Sequence, residues 1–290
     1  MANKSNKENK TKEVFNKIVE GVQNIITSGE YEKFLRFSKK FHHYSFNNLV
    51  LIFSQMPEAT QVAGFKKWQS MGRKLKKGAK GIQIIYPIKR TYTQTKIEGQ
   101  SSITDNEDEP KEQKKKKVEY LTYRPTYVFD ISQTVGKPMP LEDTKLNSDN
   151  MNEFFEFLKT YSPYPILEKD IFGGALGYWS KSAKHIVLKK NLSIDDKTAT
   201  LLHELTHALY DDFDYSKNRN LSETFVESVA FIVADYFGLD TSNCSFNYVT
   251  TWADGDIKVV LELGEKIQKT ANDFIKQLEN YEQQGIKKSA

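Results

Sequence analysis

The stretch His203-Glu204-Leu205-Thr206-His207 sets two histidines four positions apart. Only a helix turns that spacing into one face, because residues i and i+4 sit one turn apart on the same side. The flanking residues agree with a helix. Ser193 is placed to cap its start, with Asp195 and Asp196 in the first turn, where acids offset the positive end of the helix. Ala199, Leu201, Leu202, Leu205, Ala208 and Leu209 then supply an apolar stripe. A chain of this kind must bury that stripe while leaving the histidine face open.

Two imidazoles on one face can share a metal ion, and Glu204 beside the first can serve as a general base. This resembles a zinc peptidase constellation, and a third protein ligand is then needed. Glu227 is the expected third ligand. It falls on a second predicted helix, Leu221 to Phe237, and lies 20 positions after His207. That offset resembles the glutamate-type zincins. Glu223 is the alternative, one turn earlier, although Asn220-x-x-Glu223 reads as a capping box that would occupy it structurally. Two imidazoles and one carboxylate would hold Zn2+ and leave a position for water, whose pKa zinc lowers to about 7; the residues alone do not select Zn2+ over another divalent ion such as Mn2+. Tyr210 and Tyr248 are weaker candidates as donors to a developing oxyanion. Ala175 to Trp179 and His185 to Leu188 read as strands ahead of the helix, one of them an edge to which a peptide can add.

Charge divides the chain. Residues 1–140 hold 26 Lys and Arg against 14 Asp and Glu, whereas residues 141–290 hold 16 against 24. Such a split suggests two modules with different partners. The single cysteine, Cys244, rules out a disulfide framework within the chain and points to a reducing compartment. No stretch has eighteen consecutive apolar residues, so no membrane span is expected and a cytoplasmic, soluble protein is.

The basic half is patterned. No acid occurs from Ala59 to Ile97, a span that carries Lys66, Lys67, Arg73, Lys74, Lys76, Lys77 and Lys80 with Phe65, Trp68, Tyr86 and Tyr92 interleaved. Cations that follow phosphates and rings that stack on bases are what single-stranded nucleic acid requires; a solvated lysine face over a core of rings would have the same composition. Helices are expected at Lys12–Ser28, Tyr31–His42, Phe46–Ser54, Gly64–Met71, Asn150–Thr160 and Asp254–Tyr281. Strands are expected at Gly81–Ile88 and Tyr120–Ile131, around a low-complexity charged insertion at residues 93–118. Lys137 to Asn147 reads as a linker between domains at 10–136 and 149–285.

Several segments together resemble the ArdC antirestriction family. They are Tyr44-Ser45-Phe46-Asn47-Asn48, Val62 to Gln69, Gly72 to Ile82, Tyr127 to Thr134, HELTHALY, Glu227 to Ala230 and Tyr248 to Trp252. The resemblance implies two α+β domains, an N-terminal one that binds single-stranded DNA and a C-terminal zincin-like metallopeptidase, in the setting of a conjugative plasmid. It marks Tyr44, Asn47, Lys66, Lys67, Trp68, Arg73, Lys74, Lys76, Lys77 and Lys80 as DNA-binding. His203, His207 and Glu227 would hold the metal and Glu204 would catalyse. Three roles are then open. The protein is a DNA-tethered peptidase acting on a protein target such as a restriction enzyme subunit, a DNA shield with a silent metal domain, or a primase-associated accessory.

Overall fold

In a computed structural model, the described residues are 2–41, 43–95, 115–139, 151–239, 241 and 256–289. The chain opens with helix α1 (Ala2–Thr27), which buries Val14, Ile18, Val22 and Ile25 at helical spacing. Gly29, at φ +76°, turns the chain into α2 (Tyr31–Ser38) and a 3-10 turn at Lys39–Phe41. α3 (Phe46–Gln55) starts at Ser45, whose hydroxyl accepts from the Asn48 N–H at 3.5 Å, and buries Phe46 and the run Leu49 to Phe53.

A short strand β1 (Val62–Ala63), helix α4 (Phe65–Ser70) and strand β2 (Arg73–Leu75) lead to a long hairpin. Its strands are β3 (Ile82–Thr95) and β4 (Lys115–Asp130), in antiparallel register from Ile82 opposite Val128 to Thr95 opposite Lys115. The sheet order is β1-β4-β3, and β5 (Thr134–Gly136) pairs with β2. The outer edge of β3 is covered by α3. Asn48 exchanges hydrogen bonds with both backbone groups of Ile85 (2.9 and 3.0 Å), and Gln55 does so with Gln83 (2.9 Å each). Two amides two helical turns apart thus stand in for a neighbouring strand.

The second half begins with α5 (Met151–Tyr161). A three-stranded sheet follows, of β6 (Ile166–Lys169), β8 (His185–Lys189) and β7 (Gly177–Ser180), with β6 parallel and β7 antiparallel to the central β8. Helices α6 (Ile194–Tyr210), α7 (Tyr215–Tyr236) and α8 (Ile257–Ser289) complete it. The mixed α+β class matches the sequence. Strands β1, β2, β5 and β6 were not expected; each has two to four residues, too few for a periodic pattern. Most of the charged insertion, the linker from residue 140 and the segment with Cys244 and Tyr248 lie outside the described residues.

The two halves share one apolar core. Phe46 of α3 lies against Gly264 of α8 so closely that a Cβ there would come within 2.4 Å of its ring. From α2, Arg36 pairs with Asp235 of α7 at 2.9 Å, and Lys39 in the turn that follows pairs with it at 2.6 Å. No helix among the described residues is long and apolar enough to cross a membrane.

Candidate metal centre

Ser193 caps α6 as expected, its hydroxyl accepting from the Asp196 N–H at 3.1 Å. The helix buries Leu201, Leu202 and Leu205 fully and turns His203 and His207 to the opposite side. The two imidazole rings lie 4.9 Å apart, edge to face. α7 crosses beside them. Its Glu223 Oε2 stands 3.6 Å from His203 Nε2 and 3.7 Å from His207 Nε2.

These three residues are the one group of potential metal ligands among the described residues, with ligand atoms all within 4.8 Å of one another. Donors about 2 Å from a shared tetrahedral ion lie about 3.3 Å apart, so small side-chain shifts would close the set on a divalent ion. The donor chemistry, two imidazole nitrogens and a carboxylate oxygen, fits as well.

The carboxylate that meets both imidazoles is therefore Glu223, and not the expected Glu227. Glu227 sits one turn further along α7, with Oε2 buried and no hydrogen-bond partner among the described residues. The capping argument for Glu223 fails because α7 starts at Tyr215 and its break falls at Asn218. The Glu223 side chain faces the histidines and accepts from the Tyr215 hydroxyl at 2.5 Å.

Asp211 holds His207 from behind. His207 Nδ1–H donates to Asp211 Oδ2 at 2.8 Å, which leaves Nε2 for an ion. Asp211 in turn accepts from the Ser222 hydroxyl at 2.6 Å and the Phe213 N–H at 3.1 Å. Burial alone would depress the His207 pKa. Asp211 and Glu223 outweigh it and raise the imidazole to about 9. Glu223 opposes its own burial through bonds to His203, His207 and Tyr215, which hold its carboxyl far below the usual range. Burial pushes the carboxyls of Glu204 and Glu227 up, against the pull of both histidines. A base with a raised pKa is a better proton acceptor near neutrality.

Two cavities flank the pair His203–Glu204. One, about 550 Å³, is mostly apolar, with Ala230, Phe231 and Ala234 beside Glu227. The other, about 490 Å³, is bounded by Trp179, Asp211, Tyr215 and Glu223. Gly177 of edge strand β7 lines both, and a Cβ there would meet Thr200 of α6 at 2.6 Å, so only glycine lets the strand lie this close to the helix. Tyr210 is turned away, its hydroxyl donating to Gln277 on α8 at 3.1 Å. Tyr215 and Asp211 occupy the roles next to the site that the sequence did not reveal. For Asp211 a signal existed: it follows His207 by four residues, the spacing of a same-face pair.

The residues expected on DNA divide by position. Trp68 is 2% exposed, and its Nε1–H donates to the Phe129 carbonyl at 2.8 Å, so no base can stack on it. Arg73 is buried, donating to Thr134 Oγ1 at 2.7 Å and to the Lys137 carbonyl. Both are corrections: the ring fills the space between α4 and β4, and the guanidinium ties β2 to the β5 region. Tyr44 is half-buried and donates to the Val62 carbonyl at 3.2 Å. Asn47 is half-buried, with its backbone N–H donating to Glu265 on α8 at 3.2 Å. Lys66, Lys67, Lys74, Lys76, Lys77 and Lys80 are exposed.

Residues 4–129 match the family model of the N-terminal domain of anti-restriction factor ArdC. An uncharacterized protein of Bacillus anthracis is 29% identical over 297 aligned positions, covering 91% of this chain and 50% of that protein. The chain thus spans about half the length of that relative. Two crystal structures of the antirestriction ArdC protein from the R388 plasmid, one metal-free and one with Mn(II) bound, share the fold. Each has a TM-score of 0.50 and 18% identity over 81% of this chain, covering 85% and 84% of the respective crystallised chain. Residues 4–129 thus carry the ArdC N-terminal domain.

Proposed function

We propose that the protein is an antirestriction factor that hydrolyses a peptide bond of a protein target at a divalent metal site, while its basic half holds single-stranded DNA. The observation that carries the hydrolytic reading is the convergence of His203, His207 and Glu223 beside Glu204, between two cavities. His203, His207 and Glu223 would hold Zn2+ or Mn2+; the bound ion would polarise a carbonyl and supply an activated water. Glu204 takes a proton and passes it to the leaving amine, a task that suits its raised pKa. Asp211 fixes the His207 ring, and Tyr215 fixes the Glu223 carboxylate. Strand β7 presents an edge on which an extended peptide can add as a further strand.

The Mn(II)-bound relative supports a metal at such a fold, and the ArdC N-terminal match supports a role on incoming DNA. The test compares wild type with Glu204→Gln in protection of DNA from a restriction enzyme in cells. Loss of protection, with metal content unchanged, is the expected result. Full protection by the variant would instead favour the DNA shield, in which the metal centre does not catalyse.

A further inference from the structure

Two of the residues that the sequence placed on DNA, Trp68 and Arg73, are built into the core, so Trp68 offers no stacking surface and the exposed rings elsewhere in the basic half are the candidates. The long hairpin provides one. Directly opposed residues of an antiparallel pair project to the same face, and that face repeats every second residue. Tyr86 is opposite Arg124, Ile88 is opposite Thr122, and Arg90 is opposite Tyr120. One face of β3 and β4 therefore carries two tyrosine–arginine pairs in alternated order, with the Ile88–Thr122 pair between them. Tyr86 is 61% exposed and Tyr120 46%, and both arginines are exposed.

No acid stands on this face among those six residues, whereas the opposite face has Glu119 across from Thr91. On that opposite face Tyr123 meets Phe15 of α1 edge-on at 5.9 Å. The two pairs are offset by four positions along each strand, roughly 13 Å at the usual rise. A tyrosine costs little entropy to order, and a planar guanidinium can both stack on a base and bind a phosphate.

We infer that the hairpin face formed by Tyr86, Arg124, Arg90 and Tyr120 is the surface on which single-stranded DNA lies, with bases stacked on the two rings and phosphates paired to the two guanidinium groups. The inference rests on the DNA-binding reading above and locates it. The arginines suit phosphates, and exposed rings offer stacking to unpaired bases, which a duplex does not present.

The test is fluorescence anisotropy with a labelled oligothymidylate and an abasic strand of equal length, over a salt series. Wild type is expected to bind the thymidylate at least tenfold more tightly than the abasic strand. Tyr86→Ala with Tyr120→Ala should remove most of that difference and leave abasic binding almost unchanged. Tyr86→Phe should keep it, since the ring and not the hydroxyl is used. Arg90→Ala with Arg124→Ala should weaken both strands and flatten the log–log salt slope by about 1.4, two single-strand phosphates' worth. Equal wild-type affinity for the two strands would overturn the stacking surface, as would unchanged thymidylate binding by the double tyrosine variant. In either case DNA binding itself would stand and would belong to the exposed lysines of residues 66–80. No wild-type binding at low salt would overturn the DNA-binding reading together with this surface.

Discussion

The phenol of Tyr31 meets Ser228 Oγ at 2.9 Å in a buried contact that joins the basic half to the helix bearing Glu223 and Glu227. Ser228 itself donates to the Thr224 carbonyl at 2.6 Å, so its oxygen is held to receive the phenol proton. Tyr31→Phe removes that donor and leaves Ser228 partly satisfied. The expected cost is about 1 kcal/mol of stability, read as a lower urea midpoint with an unchanged slope.

Glu223 and Glu227 differ in what they touch, and their substitutions should differ as well. Glu223→Ala removes the carboxylate between the imidazoles and should lower Mn2+ or Zn2+ affinity at least a hundredfold by calorimetry. Glu227→Gln should change it by less than tenfold. A larger loss for Glu227→Gln than for Glu223→Ala would mean that the bound ion draws in the further carboxylate.

Asp211 is expected to act on the metal through His207. Asp211→Ala should cost roughly 10- to 100-fold in metal affinity, and Asp211→Asn less, since an amide oxygen can still accept from Nδ1. Equal losses in the two variants would argue that charge and not ring orientation is what Asp211 contributes.

Metal affinity should rise with pH. The metal-free protein holds a proton on His207 up to about pH 9, and a ligand imidazole must give it up. Affinity should therefore climb by nearly tenfold per unit between pH 7 and 8 and level off above 9. For the metal-free protein the same raised pKa acts the other way. Its stabilisation is complete below pH 6.5 and is lost as pH rises through about 9. Thermal melts of both forms across this range should thus diverge. A metal affinity flat from pH 6.5 to 9 would show that His207 is already neutral.

Trp68→Ala should destabilise the fold. The side chain is 2% exposed and its N–H is bonded, so truncation leaves a cavity and an orphaned carbonyl at Phe129. A loss of about 3–5 kcal/mol is expected, seen in denaturant unfolding without any nucleic acid present.

How legible all this was depended on local pattern. The helix through His203 and His207 could be read because cap, stripe and metal spacing all lie within one short segment. The choice between Glu223 and Glu227 could not, since both lie on one face of α7 and only the crossing of two helices decides which reaches the histidines. The same limit explains Trp68 and Arg73. A ring or a guanidinium looks alike in sequence whether it faces water or a backbone carbonyl of β4 or β5. For the hairpin tyrosines it was the pairing that stayed hidden. Tyr86 stood in the basic run as one ring among several, and only the register with Arg124 gives it a partner and a face.

The fit of Phe46 against Gly264 also bears on how the gene could be dissected. A polypeptide ending at residue 139 would carry Tyr31 and Phe46 without their partners on α7 and α8, and the remainder would show Ser228 and Gly264 uncovered. Each piece alone would be adhesive, whereas the two produced together should find one another and reassemble as a split protein, with the metal centre restored only on mixing.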